Sequence, residues 1–504
     1  MNQLNINKYH KNFFFVTILF TRKVFSIILL IGILSACASK GNEISDLAEK
    51  IGTDSIYHCA LNWEDKDCEC PEDIEKNGEC SLRSELQYDG ILLGIEKSDK
   101  VGACHALKGN GLREPSDTTL SSNNKSHLKK LINDKKSMYL SHAVEYPSKK
   151  NDGGIFYNSY EYINIDDKCT GDYPNRESFN DMNPPTNLYL RGEKALWGLK
   201  KRIKTRLKNG RNEDSPYTHI ILMSMGWHND QPESLYRYNK ITEHLIETAT
   251  ANNRPNFKPF IIGISWPSAW CSACYNWFSE LAGHIVSYVN KANDADEIGY
   301  TLLNRVLNRV LLELKQEAGV EYDEFKLVTI GHSMGARIVT RAVFSEPLLV
   351  ENPSEKTKID LVIGIQGAFS VNRFIKPSPS VSETREGGPY SDYDKMANKF
   401  IMTWSSQDKA NPVSRFLNGS KHIGGYPGYE ETQKVKKSYP FTYTNWPTGK
   451  GYTLSTHEQE TCFNIPKDHS VSMINMSSVV DDHNDILDED MGRFLWCAIS
   501  QFAT

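Results

Sequence analysis

Beyond Leu34 the chain has no apolar run long enough to cross a bilayer as a helix, so no further membrane-spanning helix is expected. It has no excess of positive charge: 58 Lys and Arg stand against 63 Asp and Glu, and a mildly acidic chain argues against nucleic acid as a partner. Internal repeats are absent, which removes solenoids and propellers. A zinc-like pairing of two CxxC motifs is also missing. Cys271-Ser272-Ala273-Cys274 stands without a thioredoxin-like frame, and Cys68, Cys70 and Cys80 without a second CxxC, so neither a metal nor a redox centre is expected.

What is present is a strand, a sharp turn and a helix around one serine. Residues Leu327 to Ile330 are apolar and β-rich, Gly331-His332-Ser333-Met334-Gly335 follows, and Ala336 to Phe344 has helical periodicity. A serine hydroxyl becomes a useful nucleophile when it is lifted clear of a sheet, next to a base and to backbone donors for an oxyanion. Glycines on both sides of it let strand and helix approach closely. Further β-rich runs lie at His219 to Met225, Phe257 to Trp266, Phe325 to Ile330, Ile359 to Phe369, Lys399 to Trp404 and Val471 to Val480. Helical segments are expected at Gly192 to Asn209, Tyr236 to Asn252, Ile298 to Glu317 and Arg337 to Phe344, and Ser141 to Tyr146 with Ile155 to Ile165 reads as an edge hairpin. The alternation predicts an α/β fold, a mostly parallel sheet covered by helices on both faces.

This arrangement resembles the α/β-hydrolase superfamily. The runs Gly226-Trp227-His228-Asn229-Asp230 and Gly263-Ile264-Ser265-Trp266-Pro267, with Gly331 to Gly335, resemble in particular a poorly characterised family of bacterial serine hydrolases, over roughly the last two-thirds of the chain. The resemblance implies esterase-like or lipase-like activity, no cofactor, and an acid and a histidine following the serine in chain order. Asp408 follows the Lys399 to Trp404 run, whereas no carboxylate follows the run ending at Gln366 to Phe369. His483 follows the Val471 to Val480 run and His469 precedes it, so topology selects His483. Ser333, His483 and Asp408 are therefore the expected catalytic triad. Backbone amides of Met334 and Trp227 are the expected oxyanion donors, although Met225 stands where the superfamily more often has histidine.

Other residues near these motifs have plainer readings beside their functional ones. His228 and His332 adjoin the motifs and are expected to be hydrogen-bonded supports. Trp266 and Trp270 are candidates for lining a substrate pocket, as is Trp277; packing beneath a loop is the competing expectation. Arg22-Lys23, the apolar Val24 to Leu34, and Leu34-Ser35-Ala36-Cys37 resemble a bacterial lipoprotein signal, with residues 1–36 removed and Cys37 lipidated. Ala38 after that cysteine implies, by analogy with Gram-negative lipoproteins, the outer membrane. Loss of Lys8, Lys11, Arg22 and Lys23 with no acid would take the formal charge from -5 to -9. Ten cysteines besides Cys37 are an even number for an oxidising compartment, so disulfides of unknown connectivity are expected.

The expected organisation is then a signal at 1–36, a polar Cys-containing extension and linker at 37–135, and a hydrolase domain at 136–504. An insertion at 410–468 either shapes the mouth of the site or is a surface excursion pinned by Cys462. The favoured function is a lipid-anchored hydrolase of carboxylic esters. The alternative is a catalytically silent envelope lipoprotein that uses the scaffold to bind a partner.

Overall fold

In the computed structural model the described residues are 85–96, 139–146, 154–158, 188–227, 229, 231–266, 268, 291–292, 294–344, 357–374, 397–410, 421–435, 441–446, 462, 464–467 and 471–503. They form a mixed α/β structure around a sheet of ten strands. In chain order these are β1 (Gly90–Glu96), β2 (Tyr139–Tyr146), β3 (Gly154–Asn158), β4 (His219–Ser224), β5 (Pro259–Ser265), β6 (Lys326–His332), β7 (Ile359–Ile365), β8 (Ala397–Trp404), β9 (Phe441–Asn445) and β10 (Val471–Asn475). Their spatial order is β3-β2-β1-β5-β4-β6-β7-β8-β10-β9. The pairings from β1 through to β9 are parallel, and β2 runs antiparallel to both of its neighbours.

Burial on both faces explains why the strands read as continuous apolar runs. Successive side chains of β4 divide between two cores: Ile220 and Leu222 join one, Ile221 and Met223 the other. Helices α1 (Leu188–Asn212) and α4 (Met334–Phe344) contribute to the first core, with the helical stretch that ends as α3 (Leu312–Glu317). Helices α2 (Gln231–Ala251) and α6 (Glu489–Phe502) cover the second, packed on each other. Each fully buried Ile, Leu or Val contributes about 1.5–3 kcal/mol, so the two cores hold the strand ends in fixed relation.

Three expectations change. The first concerns the amino-terminal extension: its residues 90–96 form β1, an interior strand paired in parallel with β5 from Gly90 opposite Ile261 to Gly94 opposite Ser265. The boundary at 136 is therefore too late, because this short apolar run finds its partner far along the chain and carries no local helix or turn signal. Second, the single helix expected over Ile298 to Glu317 has wider, π-type turns at Gly299–Leu303 and Val306–Leu311. This stretch packs closely on α4, and Asp296 just before it accepts from Arg337, Arg341 and Arg373. Burial alone would raise the Asp296 pKa, but the three guanidiniums outweigh it and hold the carboxyl well below its usual range.

Third, the insertion at 410–468 is more than a loop. It supplies α5 (Tyr426–Val435) and β9, which pairs in parallel with β10 at the sheet edge. Tyr429 of α5 stacks on Trp404 at the end of β8, with ring centroids 4.1 Å apart. Cys462 and Cys497 form a disulfide that ties the end of the insertion to α6. No helix among the described residues is long and apolar enough to cross a membrane.

Candidate active site

The chain changes direction across the sheet at β4. From β4 it passes to β5 on one side, and from β5 it crosses to β6 on the other. In parallel α/β sheets such a switch leaves a crevice beyond the carboxyl ends of the two strands. Here the loop after β4 and the turn after β6 meet in that crevice, and they hold Trp227 and Ser333.

Ser333 sits between the last residue of β6 and the first of α4 with φ +54°, a left-handed conformation unfavourable for a residue bearing a Cβ. The turn is held at both ends of the residue. Its N–H donates to the Ile365 carbonyl at 2.9 Å and its own carbonyl accepts from Ala368 N–H at 3.0 Å. Close approach explains the glycines. A Cβ at Gly331 would lie 2.5 Å from Ala336 Cα, and one at Gly335 would run into the Ser224 backbone. Gly226, in the loop after β4, has the same reason: a Cβ there would lie 2.7 Å from Ser333 Cβ.

The structure brings the three expected side chains into one hydrogen-bonded chain. His483 Nδ1 lies 2.9 Å from Asp408 Oδ2, and His483 Nε2 lies 2.6 Å from Ser333 Oγ. A carboxylate only accepts, so Nδ1 carries the ring proton and Nε2 is left to accept from the serine hydroxyl. Asp408 is 2 % exposed, and its other oxygen accepts from Ala410 N–H at 2.9 Å. Both partners come from the carboxyl ends of adjacent strands, Asp408 after β8 and His483 after β10.

Peptide geometry orients the two expected oxyanion donors. In a trans peptide the carbonyl of one residue and the N–H of the next point in opposite directions. The Gly226 carbonyl accepts from Asn229 Nδ2 at 3.3 Å, which turns the Trp227 N–H the other way. The Ser333 carbonyl accepts from Ala368 and Arg337, which likewise aims the Met334 N–H away from them. The loop is braced further: Asn229 Nδ2 reaches the Trp227 carbonyl at 3.0 Å, Ser268 Oγ donates to the Asn229 carbonyl, and Trp266 Nε1 donates to the Met225 carbonyl at 3.0 Å. Met225, standing where histidine was expected, thus takes part through its backbone.

Trp266 takes the packing alternative of its two readings. It is 2 % exposed, because its indole must reach Met225 beneath the loop, and its role is support. His332 matches its expected supporting role. Its Nε2 lies 2.8 Å from the His483 carbonyl, and since a carbonyl only accepts, Nε2 carries the proton. Burial, with the neighbouring His483 and Arg237, pushes the His332 pKa well below 6.5, so the ring is neutral. Trp270, Trp277, His228, His469, Cys37, and every other cysteine except Cys462 and Cys497, lie outside the described residues. Sequence reasoning missed Gln366 and Ser405, polar residues that directly follow the apolar runs of β7 and β8. That position was their only signal.

No protein-family model matches the chain, and neither does any curated protein sequence.

Proposed function

We propose that the chain is a serine hydrolase of the α/β-hydrolase fold that cleaves carboxylic esters through an acyl-enzyme. The observation that carries this reading is the unbroken chain from Asp408 through His483 to Ser333, with contacts of 2.9 and 2.6 Å, at the switch point of a mostly parallel sheet. As Ser333 Oγ attacks the ester carbonyl, His483 Nε2 takes its proton and then delivers it to the departing alcohol. Asp408 keeps the Nδ1 proton in place and stabilises the imidazolium that forms. Met334 and Trp227 N–H groups hold the negative oxygen of the tetrahedral intermediate, where one donor is worth about 10²–10³ in rate. Water, activated by the same His483, releases the acid and regenerates Ser333.

The lipobox ending at Cys37 supports anchorage of the mature chain to a bacterial envelope membrane, the outer one by the Ala38 reading, and makes lipid esters plausible substrates. The test is fluorophosphonate labelling of the full chain purified in detergent, beside Ser333→Ala and His483→Ala. Labelling of wild type and its loss in both variants is the expected result. A folded wild type that does not label would favour the catalytically silent binding module.

A further inference from the structure

His483 is carried by the segment between Val480 and Ile486, and the side chains of that segment give it little purchase. Asp481, Asp482 and Asn484 are exposed, and Ile486 is its buried apolar anchor. Its internal bonds, Asp481 N–H to Asp485 and Asn484 N–H to Asp482, shape the loop without tying it to the sheet. Besides the His483 side chain itself, three contacts among the described residues tie the loop backbone to the strand ends. His332 Nε2 donates to the His483 carbonyl at 2.8 Å, Gln366 Nε2 to the Asp482 carbonyl at 3.3 Å, and Ser405 Oγ to the Val480 carbonyl at 3.1 Å. The three donors are the last residue of β6 and the residues immediately after β7 and β8, three neighbouring strands.

We infer that His332, Gln366 and Ser405 are positioning residues for His483, a row of donors on consecutive strand ends that fixes the backbone of the histidine loop and so sets the reach of the imidazole to Ser333. Gln366 has a conformation that a spacer would not require: its φ is +46°, and its N–H donates to Thr403 Oγ1 at 3.0 Å while its side chain extends to the loop. Neutral His332 has one N–H, and the His483 carbonyl takes it. The same peptide units carry the histidine, so a lost donor displaces the base directly while leaving the buried cores untouched.

This inference rests on the triad reading above, and the experiment keeps the two apart. The full chain in detergent is assayed with p-nitrophenyl butyrate and labelled with fluorophosphonate, beside His332→Leu, His332→Gln, Gln366→Met and Ser405→Ala. Wild-type labelling that disappears in Ser333→Ala tests the triad alone. With that in hand, His332→Leu and Gln366→Met should each lower kcat about fivefold to tenfold, the worth of a hydrogen bond, and their combination further, with KM within about twofold. His332→Gln returns a donor near the Nε2 position and should recover most of the loss at an unchanged thermal midpoint. The Ser405→Ala variant should fall in the same direction and stands in if His332→Leu does not fold. A row of donors that acts only on folding would lower the thermal midpoint and leave kcat unchanged. Wild-type kcat in the folded Gln366→Met and Ser405→Ala variants, or no difference between His332→Leu and His332→Gln, would overturn the assignment.

Discussion

The Ser333 turn and the histidine loop hold two ends of one 2.6 Å contact by different means. Around Ser333 the restraint is steric: Gly226, Gly331 and Gly335 leave no room for a Cβ, and Ser333 itself is 5 % exposed. Around His483 it is a set of directed bonds onto an exposed, acidic loop. The turn should therefore be intolerant of added volume and the loop intolerant of lost donors. Loop side chains that make no bond to the sheet should be replaceable.

Gly335→Ala gives the largest expected effect, because its methyl group meets the Ser224 backbone, which belongs to an interior strand and cannot shift alone. Overpacking of this kind costs about 3 kcal/mol or more. Soluble yield, thermal midpoint and fluorophosphonate labelling should all fall sharply. Asn484→Ala in the histidine loop should change the stability by less than about 0.5 kcal/mol. A Gly335→Ala protein as stable as wild type would break the contrast.

Acid tests the frame beneath both regions. Burial lowers the pKa of His142 on β2 to about 3 and of His219 on β4 to about 4. His142 meets Gln231 Oε1 at 3.0 Å, and His219 meets the Ala503 carbonyl at 2.6 Å. Unfolded, both titrate near 6.5, so between that value and the folded pKa the unfolded chain binds more protons. The stability they contribute is complete above about pH 7 and is lost as pH falls. From pH 7 to 5 the loss is about 2 kcal/mol for each histidine. Urea midpoints at the two pH values measure it; buried His332 adds to the total, and His219→Gln should remove only its own share of about 2 kcal/mol. A pH-independent midpoint would show that neither ring is buried neutral.

The disulfide sharpens the comparison from the other side, since α6 follows the histidine loop. Cys462 and Cys497 are 35 residues apart, and opening a loop of that size releases about 3–4 kcal/mol of chain entropy into the unfolded state. Cys462→Ser with Cys497→Ser should lower the thermal midpoint accordingly and leave the labelling rate of the surviving folded protein near wild type. A labelling rate that collapses at temperatures where the variant remains folded would mean that α6, rather than the strand-end donors, sets the position of His483.

Much of this was legible in the sequence for one reason: six strands of a doubly covered parallel sheet are continuous apolar runs, and the acid and histidine sit just past two of them. Asp408 and His483 could be chosen by counting strands, before any distance was known. The rest escaped because its cause is long-range. Strand β1 looks like any short apolar patch until β5 pairs with it. Strand β9, Phe-Thr-Tyr-Thr-Asn, is half polar, as suits an edge, and lies inside what reads as an insertion. Gln366 and Ser405 are ordinary polar residues until the fold brings a loop from 116 and 75 residues away onto them. Trp266 carried two readings because an aromatic beside a motif reads the same whether it faces a pocket or supports a loop.

The smallest expected effect isolates what the turn itself costs. A residue with a Cβ in the left-handed region carries about 1–2 kcal/mol that glycine avoids, and glycine returns about 0.4–1 kcal/mol of that through its freer unfolded state. Ser333→Gly should therefore exceed Ser333→Ala in stability by about 0.5 kcal/mol, both being unable to react with fluorophosphonate. Gln366→Gly makes the matching probe on the histidine side: it relieves the same kind of backbone strain at φ +46° but removes the donor to Asp482. If strain belongs to the turn and directed bonding to the loop, glycine stabilises at 333 and gains nothing at 366. Equal gains at both positions would mean that the Gln366 side chain holds nothing, and the distinction between the two regions would fail at its most specific point.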